Sequence, residues 1–486
     1  MNRTSLLYLL IVSIVGCGIF GVLQIGNRLT PPAGAPAHHA AAEVQATPGG
    51  TAPASMFTTV GEGLRQNAND PLSRLFLQLL VIIAASRLGG WVFMRCGQPA
   101  VVGEMVAGIL LGPSLFGLIF PNAFQYVFLP SSLGALKLFS QIGVCLFMFC
   151  VGMELDIAQV RQKAHTAVVV SHASIIIPYF LGVVLALFLY SSYAQPGASF
   201  TAFGLFMGIS MSITAFPVLA RIMQERGLSR DLLGTTAITC AAVDDVTAWC
   251  ILAFVVAVGR ATNVAAAAFN LVLVILFVGL MLLAIKPTLL RLLGRSELER
   301  ADPGKGVLAL IVSVVLAAAF CTELIGIHAL FGAFLAGTIM PTAGDFREKL
   351  AVRVENFSSV LLLPLFFAFT GLRTRIDLLN DATGWLICVV VVAVATLGKL
   401  GGSAVTARIT GMPWRESFQL GALMNTRGLM ELIALNLGYD LGILSAHIFT
   451  MLVMMALVTT AMTGPLLSFF TAKNQAPAMR PEPSPS

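Results

Sequence analysis

The amino-acid sequence predicts an all-α polytopic membrane protein of thirteen spanning helices, two of them broken, with one further apolar segment ahead of them. Three observations carry this expectation. Hydrophobic residues fill 57% of the 486 positions and charged ones only 11%, well below the charged share of a soluble domain. Runs of about 20 apolar residues, enough to cross the hydrocarbon core of a bilayer, recur from end to end. Two of these runs are interrupted near their middle by polar residues beside Pro or Gly, as discontinuous helices of an inverted repeat would be. Together these exclude a disordered chain, a secreted disulfide scaffold and an ordinary soluble enzyme. The net charge of +6 does not point to nucleic acid, because Lys and Arg lie between the apolar runs, where membrane topology accounts for them. The eight cysteines contain no CxxC pair and lie mostly within apolar runs, so they read as small buried hydrophobes, and no metal site is expected.

The elements follow in order. Residues 1–26 hold Arg3 and an apolar run from Leu6 to Leu23. The run is longer than the usual apolar stretch of a signal peptide, which favours a retained anchor; Ala35-Pro36-Ala37 keeps a cleaved, signal-like segment as the alternative. Residues 27–70 form an Ala/Pro-rich linker. Residues 71–471 are the transmembrane domain, with spans near 72–94, 99–119, 133–153, 164–190, 200–224, 234–259, 266–291, 304–322, 326–341, 357–373, 384–408, 415–438 and 446–471. Residues 472–486 form a short tail. Alternate loops carry Arg161 and Lys163, then Arg221, Arg226 and Arg230, then Arg291, Arg295, Arg300 and Lys305, then Arg347, Lys349 and Arg353. The short loops opposite hold Arg260, Arg373 and Arg375. This bias places the carboxyl terminus in the cytoplasm of a cell (inner) membrane protein and the linker outside. No soluble domain and no phosphate-binding loop between a strand and a helix is found, so transport must be driven by an ion gradient or run downhill.

The sharpest chemical feature is Asp244-Asp245 in the middle of the sixth span, flanked by apolar sequence on both sides. Two carboxylates at membrane depth cost a few kcal/mol each and mark a proton relay or cation site. Neighbouring helical residues point about 100° apart, so one can face a cavity while the other pairs elsewhere. Lys399 in the eleventh span is the available partner, expected to pair with Asp244 and leave Asp245 to the cavity; the bland alternative is a lysine snorkelling to the interface. In the fifth span Ser210, Ser212 and Thr214 precede Pro217, which breaks the helix and frees carbonyls suited, with the hydroxyls, to a small monovalent cation. In the twelfth, Asn425, Thr426, Arg427 and Glu431 interrupt apolar sequence, and Arg427 and Glu431 are spaced to pair on one face; a polar helix end is the alternative. Glu104 either joins a proton path or lies at the interface. For His328, a satisfied interface histidine outweighs a pH sensor.

These residues resemble the second family of monovalent cation:proton antiporters. The matching stretches include Gln98 to Pro113, Gly152-Met153-Glu154-Leu155-Asp156, Ser212 to Arg221, Asp244-Asp245, Gly326 to Gly337, Gly398-Lys399 and Met424 to Leu432, and they span nearly the whole thirteen-helix domain. The resemblance implies the inverted-repeat antiporter fold with crossed broken helices, and a homodimer in which a six-helix core moves against a fixed scaffold. It also implies that Asp245 binds the cation or the proton while Asp244 pairs with Lys399. Plant members resemble this chain in the Ile327 to Gly332 and Met424 to Gly428 stretches, but many of them carry Asn in place of Asp244, so the chain departs from them towards the two-aspartate, electrogenic type. Glutathione-gated members carry a nucleotide-binding domain that has no counterpart here.

The expected function is therefore secondary active Na⁺ or K⁺/proton antiport by alternating access, serving pH homeostasis and not an enzyme reaction. Protons and cation compete for a membrane-embedded aspartate, with no cofactor besides the transported ions and no partner besides the bilayer and a second copy. The alternative from another class is a passive monovalent cation channel, which would need a continuous selective pore; no repeated filter loop is found.

Overall fold

The structure, a computed structural model, describes residues 67, 70–129, 132–154, 164–225, 232–260, 264–298, 304–341 and 346–471. The expectations for residues 1–26, for 27–70 apart from Asn67 and Asp70, and for the 472–486 tail lie outside the described residues.

Each of the thirteen expected spans is met by a helix. In chain order these are α1 Pro71–Arg95, α2 Ala100–Leu110, α3 Leu133–Glu154, α4 Ala164–Tyr193, α5 in two halves (α5a Phe200–Ser212 and α5b Phe216–Glu225) and α6 Leu232–Arg260. Then come α7 Val264–Leu280, continued through a π turn into Lys286–Leu298, α8 Lys305–Ile325, α9 Ala329–Thr338, and α10 Phe346–Phe357, continued through a π turn into Leu363–Arg373. Last are α11 Ala382–Thr396, continued through the π turn Leu397–Gly401 into Gly402–Ile409, α12 in two halves (α12a Trp414–Met424 and α12b Leu429–Asp440), and α13 Ala446–Thr471. Among the described residues, eight helices are long and apolar enough to cross a membrane.

Two boundaries differ from expectation for physical reasons. The second span was expected to reach 119, but α2 ends at Leu110, just ahead of Gly112-Pro113, and two short helices, Phe116–Ile119 and Pro121–Val127, follow. α10 begins at Phe346 rather than near 357, because its first turns are charged and hydropathy registers only the apolar remainder.

Local signals set the helix ends. Asp70 caps α1 by accepting the Leu72 N–H at 2.8 Å, with Pro71 in the first turn, and Asp381 caps α11 through the Gly384 N–H at 3.0 Å. α8 ends at Gly326, whose φ of 93° is the left-handed C-terminal cap that glycine adopts without strain.

The helices pack into two groups. α1, α2, α3 and α10 form one, joined by α9 on α3 and α8 on α9; α4, α5, α6, α11, α12 and α13 form the other. α6 and the two broken helices lie deep in the second group. Large apolar side chains such as Leu80, Phe180, Phe188, Leu283 and Leu292 point outward, where hydrocarbon rather than water would solvate them.

Candidate functional site

The interruptions in α5 and α12 meet in the middle of the second group. α5a ends at Ser212, Ile213 is extended (φ −68°, ψ 131°), and α5b resumes at Phe216 with Pro217 as its second residue, where a missing N–H leaves nothing unpaired. α12a ends at Met424 and α12b begins after Gly428. The two extended stretches are tied by a backbone bond from the Ala215 N–H to the Thr426 carbonyl at 3.0 Å. Gly428 allows the crossing to be tight: a Cβ there would stand 2.8 Å from Cγ2 of Val218.

Beside the crossing, α6 presents Asp244 and Asp245, both fully buried. Asp244 is held from four sides. Lys399 Nζ donates to its Oδ2 at 2.8 Å, Thr214 Oγ1 donates to the same oxygen at 2.6 Å, Ser171 Oγ donates to Oδ1 at 2.6 Å, and Ser174 Oγ lies 2.9 Å from both oxygens. A charge pair without exposure is tolerated only when its remaining donors and acceptors are filled, and this arrangement fills them. The ammonium also donates to the Ser174 carbonyl at 2.9 Å and to the Ser212 carbonyl. Lys399 reaches these partners from the π turn of α11, a wide turn of the kind found at functional positions. Glycines let that turn sit close to its neighbours: a Cβ at Gly398 would stand 3.0 Å from Pro178 of α4, and one at Gly421 of α12a would stand 2.5 Å from the Leu400 carbonyl.

Arg427, also fully buried, completes the arrangement. Its Nη1 donates to the Ser210 carbonyl at 2.7 Å and to Glu431 Oε2 at 3.2 Å, and its Nη2 donates to the Met211 carbonyl at 2.6 Å. Helix α5a therefore ends in the membrane with three successive carbonyls, those of Ser210, Met211 and Ser212, answered by two cations. These carbonyls are the negative end of the helix dipole, where positive charge is stabilised. Arg427→Lys keeps the charge but loses the fork that reaches two carbonyls at once. It is expected to destabilise the protein by about 1–3 kcal/mol, read as a lower melting temperature in detergent. An unchanged melting temperature would show that the α5a carbonyls do not depend on the guanidinium.

The structure brings Asp244, Lys399, Thr214 and the Ser212 carbonyl into one cluster, with Asp245 next along α6. The Ser212 hydroxyl turns back to the Gly208 carbonyl at 2.7 Å, so its main chain is what reaches Lys399. Arg427 and Glu431 pair across one turn. Asn425 Nδ2 donates to the Thr459 carbonyl at 3.4 Å, and Thr426 Oγ1 lies 3.3 Å from Thr463 Oγ1. Glu104 is buried on α2, where its side chain packs towards Gly90 of α1. His328 caps α9 with its Nδ1 near the Leu330 N–H, at a φ of 82° that non-glycine residues rarely adopt. Sequence reasoning missed Ser171 and Ser174 on α4. It also missed Thr460 on α13, which accepts the Arg427 N–H at 3.0 Å and donates to the Arg427 carbonyl at 2.9 Å, satisfying the main chain of the break.

The family model described as "Sodium/hydrogen exchanger, transmembrane" matches residues 81–473. The chain belongs to this family. It is 44% identical over 394 residues to the Na⁺/H⁺ antiporter NhaS4 of Synechocystis, covering 81% of this chain and 96% of that protein. It is 38% identical to cation/H⁺ antiporter 17 of Arabidopsis thaliana over 87% of this chain and 51% of the relative. It is 33% identical to K⁺/H⁺ antiporter 1 of Saccharomyces cerevisiae over 82% of this chain and 46% of the relative. The chain thus spans about half the length of the plant and yeast relatives. The sodium proton antiporter MjNhaP1 of Methanocaldococcus jannaschii shares the fold, with a TM-score of 0.57 at 14% identity over 82% of this chain and 99% of that one. A family of transporters, not enzymes, with a multi-pass helical membrane fold thus accounts for the whole of residues 81–473.

Proposed function

We propose that this chain is a secondary Na⁺ or K⁺/proton antiporter that works by alternating access, with Asp245 binding either the proton or the cation. The observation that carries this reading is the crossing of two broken helices beside a buried pair of aspartates, one of which already has a lysine partner. Asp244 is committed to Lys399, Thr214, Ser171 and Ser174, so the exchanging acid is its neighbour. The Asp244–Lys399 and Arg427–Glu431 pairs stand at the ends of the broken helices, and carbonyls and hydroxyls near the crossing are hard oxygen ligands for a monovalent cation. The names of the relatives agree with either cation. Alternate exposure would come from the α4–α6 and α11–α13 group rocking against the group built on α1–α3 and α8–α10 in a homodimer. The carboxyl terminus would be cytoplasmic in the cell membrane, as the Lys and Arg distribution indicates.

The test is cation-induced proton flux in proteoliposomes, comparing Na⁺, K⁺ and Li⁺. If one carboxylate takes either ligand, the apparent cation KM rises as pH falls, by up to about tenfold per pH unit once the proton dominates, while the maximal rate changes far less. A KM independent of pH with a collapsing maximal rate would end the single-site scheme. Cation conduction without proton countertransport would point to a channel instead.

A further inference from the structure

The seam between the two helix groups is closed at one end by a contact that the ion site does not use. Arg373 is the last residue of α10 and Asp440 the last of α12b, and Arg373 Nη2 lies 2.6 Å from Asp440 Oδ1. The same guanidinium donates from Nη1 to Asn436 Oδ1 at 2.9 Å, and it lies 4.3 Å from the ring centre of Phe369 and 5.3 Å from that of Tyr439. Lys137 of α3 adds a second cation 3.5 Å from Asp440 Oδ1. One turn deeper, Asn436 Nδ2 donates to Thr370 Oγ1 at 2.8 Å. Every one of these contacts except that to Phe369 joins α12b of the core group to α3 or α10 of the other group.

Below them lies a cavity of about 40 Å³ lined by Ser140 of α3, His328 and Leu330 of α9, Phe366 of α10, and Ile433 and Asn436 of α12b. It has room for a water or two. Deeper still, Trp249 stands one helical turn beyond Asp245 on α6 and stacks on Phe334 of α9, with ring centres 5.8 Å apart. The two helix groups are thus joined at this end by polar contacts at the surface, and α6 and α9 by an aromatic stack further in.

We propose that Arg373 is a gating residue: it latches α12b to α10 and holds the seam closed on the extracytoplasmic side, and it must release Asp440 and Asn436 in each transport cycle. The proposal rests on the antiport reading. The chemistry suits a contact broken every turnover. The side chains of Arg373 and Asp440 are 15% and 31% exposed, so water can take over their hydrogen bonds when they part, and such pairs are weak. The fully buried Asp244–Lys399 pair has no such substitute and stays with its own helices.

The experiment reads closure directly rather than through transport. Ser140, almost fully buried in the cavity, is replaced by Cys in a chain whose native cysteines are replaced by Ser, and a membrane-impermeant maleimide is added to right-side-out vesicles. Labelling should be slow in this parent and about fivefold faster or more with Arg373→Gln, with Arg373→Lys in between. Asp440→Asn should accelerate it similarly, and the Arg373→Gln/Asp440→Asn double variant should label faster by less than the two single effects combined, because the pair is lost only once. Equal labelling of the parent and Arg373→Gln, or fully additive effects in the double variant, would overturn the latch. Loss of cation-coupled proton flux in the unaltered protein would instead count against the antiport reading, and the labelling result would still decide whether the seam is latched.

Discussion

Asp245→Asn should reduce cation-driven proton flux to the level of protein-free liposomes while leaving the protein folded. The amide has nearly the shape of the carboxyl group but neither takes up a proton nor offers a full negative charge to a cation, so both half-reactions fail together. Stability should hold or rise, because a carboxylate at 0% exposure bears the desolvation cost of its charge and an amide does not. Asp245→Glu restores the acid with a longer reach and should recover part of the flux. Flux measured with a pH-sensitive dye on addition of Na⁺, K⁺ or Li⁺, beside the melting temperature in detergent, separates the cases. An Asp245→Asn protein that exchanges at the unaltered rate would move the site to Asp244 or Glu431, the other buried carboxylates near the crossing.

Much of this arrangement was legible in the sequence because the membrane makes polarity expensive. A carboxylate, a lysine or an arginine inside an apolar run has few explanations, so Asp244, Asp245, Lys399 and Arg427 stood out as individual residues. Pro217, and the Asn425 to Gly428 stretch, marked the breaks in the same way. What is joined to what was less legible. Asp244 and Lys399 are distant in the chain, and the packing of both α6 and α11 against α4 brings the ammonium to the carboxylate. Hydroxyl residues were the real loss. A Ser or Thr in a membrane helix can always bond back to its own helix, as Thr459 does to the Met455 carbonyl and Thr406 to that of Gly402, so its presence alone carries no information. Ser171 and Ser174 look no different from these until the fold sets them against Asp244 at 2.6 and 2.9 Å. The π turn around Lys399 was likewise invisible, since Thr396-Leu397-Gly398-Lys399 reads as ordinary helix; its two flanking glycines hinted at close packing without saying against what.

Lys399→Met is the stability test with the largest expected effect. It removes the cation from a carboxylate at 0% exposure, and it strips a donor from the Ser174 carbonyl on α4 and from the Ser212 carbonyl at the end of α5a. Breaking one side of a buried pair costs about 3–5 kcal/mol, because the charge left behind is uncompensated. The hydroxyls of Ser171, Ser174 and Thr214 still donate to Asp244, which should keep the loss towards the lower end of that range. Asp244→Asn is expected to destabilise as well, with the ammonium left to two carbonyls. The decisive variant carries both changes. With neither charge present, the Asp244→Asn/Lys399→Met protein should melt above Lys399→Met alone, giving a coupling of about 1–3 kcal/mol between the two positions. Thermal unfolding of the four proteins in the same detergent closes the cycle. Additive losses would mean that Asp244 and Lys399 do not depend on each other, and the assignment of Asp245 as the exchanging acid would lose its main structural support.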